Sequence, residues 1–179
     1  MTMFSNLTRK FYALTMLAVL SGCTGIPDNV EPVTGFELDR YLGDWYEIAR
    51  LDHSFERGLE KITASYSMRE DGGVRVLNRG YDVEKGEWRE AEGKAYFIGA
   101  ADTGRLKVSF FGPFYGAYNV IALDGENYQW SMVAGPDYSY LWVLSRSPAM
   151  APELMRDLLS QAADAGFATD EIILVSHDP

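Results

Sequence analysis

The chain has one cysteine and two histidines among its 179 residues. An intramolecular disulfide is therefore impossible, and a zinc site of the common Cys/His kind has too few ligands. A histidine-centred catalytic dyad has nothing to build on either, because His53 falls in a loop and His177 in the tail. No metal and no cofactor is expected. Basic residues are also in short supply, 16 Lys and Arg against 26 Asp and Glu, for a net charge of -10. Gripping a phosphate backbone needs a clustered cationic surface, so nucleic acid is excluded as the expected partner. The apolar run FYALTMLAVL, Phe11 to Leu20, is ten residues long, about half of what a membrane-crossing helix requires. Neither a G-x-S-x-G elbow nor a phosphate-binding loop occurs, and the carboxylates Glu90 and Glu92, two apart on one strand face, read as a solvated edge. Catalysis has no constellation to stand on, and the chain is read as a non-enzyme.

What is present begins with apolar and aromatic material, 47% and 13% of the residues, enough for one globular domain with a real core. At the N-terminus, Arg9 and Lys10 precede the ten-residue apolar run, and Ser21, Gly22 and Cys23 follow it, the layout of a cleaved signal peptide. The tetrapeptide LSGC resembles the bacterial lipobox. That resemblance implies cleavage before Cys23 and conversion of its thiol to a diacylglyceryl thioether, which ties the protein to a lipid bilayer. Thr24 in place of Asp implies retention in the outer membrane rather than the inner one. Removing residues 1–22, with Arg9 and Lys10, leaves 179 less 22, or 157, residues and takes the net charge from -10 to -12. Residues 23–35, rich in Pro, Asn, Gly and acids, read as a tether that lets the domain stand off the bilayer.

From Gly35 onward short β-type runs recur at regular intervals. Eight strands are expected near 43–51, 60–69, 74–83, 87–98, 105–111, 117–124, 127–134 and 138–146, with turns at DGG, EKG, DTG, DGEN and GPD. One segment breaks the pattern: PELMRDLLSQAADA, 152–165, places Leu154, Leu158, Leu159 and Ala162 on one helical face between an N-terminal proline and Gly166. Its apolar stripe has only the outer wall of the β-structure to dock on. EIILVS, 171–176, reads as one further short strand.

These residues resemble the lipocalin family, and within it the bacterial outer-membrane lipocalins related to apolipoprotein D. The likeness rests on G-x-W at Gly43-Asp44-Trp45 after a helical turn at 38–41, on Arg146 at the end of the eighth strand in YLWVLSR, on the following helix and on the lipobox. A further motif is matched only weakly by LDGENY around Asp124. The resemblance implies an all-β fold over residues 36–179: an eight-stranded antiparallel up-and-down barrel, one C-terminal helix outside it and a short final strand. It implies that Trp45 fills the closed end under the Arg146 guanidinium. It also points to a homodimer.

Ligand contacts then fall to inward side chains nearer the open end. The resemblance favours Ala64, Tyr66, Asn78 and Trp142. A period of two adds Ile62, Met68, Val76 and Tyr140, and it places Glu47 and Ala49 on the same inner wall as Trp45. Apolar parity selects Leu106, Val108 and Phe110, and the same logic selects Tyr118, Val120 and Ala122. Between Asp52 and Lys61 the chain is expected to form a lid, with Arg57 and Lys61 available to a head group, and FFGPFYG, 110–116, to present aromatics at the rim. Such a wall suits a fatty acid or lysophospholipid, each buried methylene contributing roughly 0.8 kcal/mol. Two other readings stay open: a structural lipoprotein whose barrel is filled by its own side chains, and a lipid-modifying enzyme using an inward acid such as Glu47.

Overall fold

The computed structural model describes residues 24–178; the proposed signal peptide and the acylated Cys23 lie outside the described residues. Eight antiparallel strands close into a barrel: β1 (Gly43–Arg50), β2 (Leu59–Met68), β3 (Val74–Asp82), β4 (Glu87–Phe97), β5 (Arg105–Phe111), β6 (Phe114–Leu123), β7 (Trp130–Ala134) and β8 (Leu141–Ser145). Each pairs with its sequence neighbour, and β1 closes the ring by pairing with β8 on one side and β2 on the other. Among the described residues, the eight-stranded architecture, the single long helix and the extra strand are those expected.

Several boundaries move for local reasons. β6 starts at Phe114, because Phe111 pairs with Phe114 across a tight hairpin at Gly112–Pro113. β7 starts only at Trp130, since Asp124 accepts the backbone N–H groups of Asn127 and Gln129 and holds 124–129 as a turn. The final strand, β9 (Ile173–Leu174), shrinks to two residues paired with Ala49 and Arg50. It lies edge-on in the wall, where β1 and β2 diverge: Val175 N–H donates to Ile48 O and Lys61 N–H to Ser176 O.

Two apolar clusters share the strands. The inner one holds Trp45, Tyr66, Val76, Leu106, Val120 and Val133. The outer one holds Ala49, Ala122, Met132 and Val143 beneath Leu158 and Ala162 of α2 (Pro152–Asp164). Pro152 opens that helix, and Gly166, with φ +104°, ends it in paired bonds from Gly166 N–H to Ala163 O and Phe167 N–H to Ala162 O.

β-Bulges decide which residues face which cluster. Opposite β8, Glu47 pairs with Leu144 but Ala49 with Val143, so Ile48 is the extra residue. Ala49, expected on the inner wall, is thereby turned to the outer cluster, and Arg50 is turned inward beside Glu47. A second bulge in β6 at Ile121 likewise corrects the expectation for Ala122, which pairs with Met132 and faces α2. Met68, also expected inside, is the last residue of β2 and is 50% exposed.

The stretch read as a stand-off tether is laid along the barrel from Thr24 onward. Asn119 donates to Gly25 O, Tyr138 donates to Asp28 O, Val33 N–H donates to Val120 O, Gly104 N–H donates to Val33 O, and Val30 is buried. Pro-rich composition had indicated stiffness; the docking comes from Ile26, Val30 and Val33, which pack on the outer and inner clusters.

Candidate functional site

The closed end is set by α1 (Leu38–Tyr41), a single helical turn that crosses below the barrel before β1 begins. Gly43 takes φ +93°, a backbone conformation that side chains rarely adopt, so the position favours glycine. Trp45 is fully buried and donates its Nε1–H to Tyr41 O at 2.8 Å. The Arg146 guanidinium carbon stands 3.8 Å from the centre of the Trp45 ring. Its nitrogens donate to the carbonyls of Asp44, Arg40, Tyr41, Leu42 and Tyr128. The weak LDGENY match lands here too, with Tyr128 buried under Arg40 and accepting the Glu37 N–H.

Above the floor runs a chain of hydroxyls. Tyr41 Oη lies 2.8 Å from Tyr118 Oη and 3.0 Å from Ser131 Oγ, and Tyr118 Oη lies 2.9 Å from Tyr66 Oη. Burial pushes the Tyr41 hydroxyl up to about pKa 12, and burial raises Tyr66 and Tyr118 as well. They stay neutral and serve as hydrogen-bonding spacers.

Over that layer the barrel is hollow. The space there is a narrow cavity of ≈ 90 Å³, lined by Glu47, Ala64, Tyr66, Asn78, Val108, Phe110, Tyr118 and Trp142 among others. Of the expected contacts, Leu106 and Val120 sit in the inner cluster rather than on the void. Tyr140 lies at the rim, its ring 6.1 Å from that of Trp142 and 5.9 Å from that of His53.

Phe55, Glu56, Thr63, Val133 and Leu144 also line the void. Leu144 was within reach of sequence reasoning, since it shares parity with Trp142, and Val133 pairs with Trp142. Glu56 was not: it arrives only because the β1–β2 loop folds back over the mouth. The loop is held by contacts no period reveals. Arg50 Nη2 donates to Glu56 O at 3.2 Å, and Trp142 Nε1–H donates to Glu56 Oε2 at 3.2 Å. The His53 ring stacks on Phe55 at 4.0 Å.

The result is a buried charged cluster at the mouth. Glu47, Arg50, His53 and Glu56 are each no more than 6% exposed. Arg50 Nη1 donates to Glu47 Oε1 at a long 3.4 Å, while His53 Nε2 is 3.1 Å from Glu56 Oε2 but outside hydrogen-bonding geometry. Glu47 is pushed well above the ordinary carboxylate range by burial first and by Glu56 second; Arg50 opposes both. Arg57 pairs with Asp52 on the exposed side of the loop, away from the void. Glu90 and Glu92 are exposed and face Arg79 and Arg75 across strands.

Residues 36–177 match the family model described as a lipocalin-like domain. The chain is 53% identical to the outer membrane lipoprotein Blc of Vibrio cholerae over 94% of this chain and 99% of that one. It is 56% identical to the outer membrane lipoprotein Blc of Escherichia coli K12 over 84% of this chain and 85% of that one. Among solved structures, insecticyanin from the tobacco hornworm superposes with a TM-score of 0.69 at 20% identity, covering 86% of this chain and 87% of that one, a likeness of fold alone.

Proposed function

The chain belongs to the lipocalin family, and from that premise we propose that it is a lipid-anchored protein of the bacterial outer membrane that binds and stores or carries fatty acids or lysophospholipids in the cell envelope. The observation that carries this reading is the cavity: it ends at the Tyr66–Tyr118 layer above the Trp45–Arg146 floor, opens at the other end, and is walled by Ala64, Val76, Val108, Phe110 and Val133. A blind apolar slot takes the end of a chain, and each buried methylene adds roughly 0.8 kcal/mol. The anchor follows from the lipobox resemblance at Cys23 and from relatives named as outer membrane lipoproteins. Those relatives are named as lipoproteins, not as enzymes, and a binding role is proposed here too.

The test is a titration of the purified protein with a single-chain lysophospholipid below its micellar concentration, followed by tryptophan fluorescence. Trp142 lines the mouth, so saturable quenching at one ligand per chain is expected. Absence of any saturable change, with no lipid extractable from the purified protein, would remove the reading.

A further inference from the structure

The void presents acceptors and lacks a cation. Its lining includes the carboxyls of Glu47 and Glu56, the amide of Asn78 and the rings of Phe55 and Trp142, and no Lys, Arg or His. The nearest guanidinium, Arg50, is outside the lining and gives Nη1 to Glu47 Oε1 and Nη2 to Glu56 O, with Nε left unpartnered among the described residues. The indole N–H of Trp142 is spent on Glu56. Asn78 Oδ1 is buried with no protein donor. An anionic head group brought to this mouth meets two acids on the lining, where the donors are the neutral Thr63 hydroxyl and Asn78 amide, while the unpartnered Arg50 Nε and His53 ring lie behind them.

We infer that the mouth of the cavity is a subsite for an ammonium group, selecting single-chain amphiphiles that carry an amine over those that end in a carboxylate. Glu47 and Glu56 supply the counter-charge, Asn78 Oδ1 a hydrogen-bond acceptor, and Phe55 and Trp142, with ring centres 6.4 Å apart, two faces for a cation. The ionisable groups around the pair are Arg50 on β1, His53 in the loop, Tyr66 on β2 and His177, whose Nε2 contacts Glu47 O. Only Arg50 among them is a permanent cation, so two acids face one fixed positive charge. Without ligand, burial and Glu56 favour the protonated form of Glu47. An incoming ammonium favours the carboxylate, and a proton it displaces leaves to solvent.

This inference rests on the reading of the void as an amphiphile site, and three probes of one chain length separate the two. Hexadecylammonium, hexadecanol and hexadecanoate, each below its micellar concentration, are titrated into the purified protein at pH 7.5. The ammonium should bind tighter than the carboxylate by about tenfold or more, a margin in the range of desolvated charge pairs, with release of protons detectable by calorimetry in buffers of different ionisation enthalpy. In Glu56→Gln the ratio of ammonium to carboxylate affinity should fall at least about fivefold. Glu47→Gln repeats the test, and should it fail to fold, Glu56→Gln decides alone. Carboxylate binding equal to or tighter than ammonium, or a ratio unchanged in Glu56→Gln, overturns the subsite and leaves the carrier reading intact. If none of the three binds, both fall together.

Discussion

The two ends of the barrel dispose of their buried polar groups in opposite ways. At the floor one cation, Arg146, is shared among backbone carbonyls and an indole face, and the tyrosine hydroxyls bond one another. At the mouth two acids compete for one arginine at long range, and Arg50 Nε, both ring nitrogens of His53 and Asn78 Oδ1 are buried without a hydrogen-bond partner. Satisfied polar groups make a unique, rigid floor, whereas unsatisfied ones carry a cost that a ligand can relieve. The floor is built to hold the fold, and the mouth is built to be completed.

That contrast is sharpest at Trp45. Trp45→Ala should lower stability by about 3–5 kcal/mol, because it empties a fully buried site and strips the guanidinium of its partner face. Urea unfolding followed by far-UV circular dichroism would measure it, and a loss comparable to that of an exposed aromatic would break the distinction. Arg146→Met comes next, at about 1–3 kcal/mol, since it orphans carbonyls of α1 and β1.

The mouth behaves differently, and with the opposite sign. Glu47 holds its proton more tightly folded than unfolded, so its contribution to stability is fully present below the ordinary carboxylate pKa and is lost as pH rises through the folded value. The Glu47 contribution should therefore fall away as pH rises above the ordinary carboxylate range, and Glu47→Gln should remove that fall and gain on the wild type at the alkaline end. Urea midpoints measured as pH rises check it; a steeper fall in the variant would refute the assignment. Phe111, 80% exposed at the hairpin tip, should be nearly silent: Phe111→Ser is expected to shift stability by less than about 0.5 kcal/mol.

The floor was more legible in the sequence than the mouth, and the reason is physical. Gly43, Trp45 and Arg146 are tied to strand ends, where a short motif and a local turn suffice to place them. Strand positions followed from the turn residues and the α2 stripe from its period, while the up-and-down strand order came from the family resemblance. The mouth depends on two things that no strict period carries. One is the bulge at Ile48, which brings Glu47 and Arg50 to the same face although they are three residues apart in a strand. The other is the fold-back of the β1–β2 loop: the family resemblance implied a lid there with Arg57 and Lys61 as the head-group candidates, but the residues it delivers to the cavity are Glu56 and Phe55. The same cause misplaced Ala49 and Ala122: alternation propagates only until an extra residue resets it. Docking of residues 24–35 was hidden because three spaced aliphatic residues in a Pro-rich stretch show no period.

Native mass spectrometry of the purified protein, beside an Ala64→Trp variant, probes the hollow barrel most directly. Ala64 lines the void, and an indole there would occupy the space a chain needs. The wild type should carry one single-chain lipid after exposure to lysophospholipid, and the folded variant none. A wild type that takes up no lipid, or a variant that loads as fully as the wild type, would contradict a binding cavity between the Trp45 floor and the Trp142 mouth.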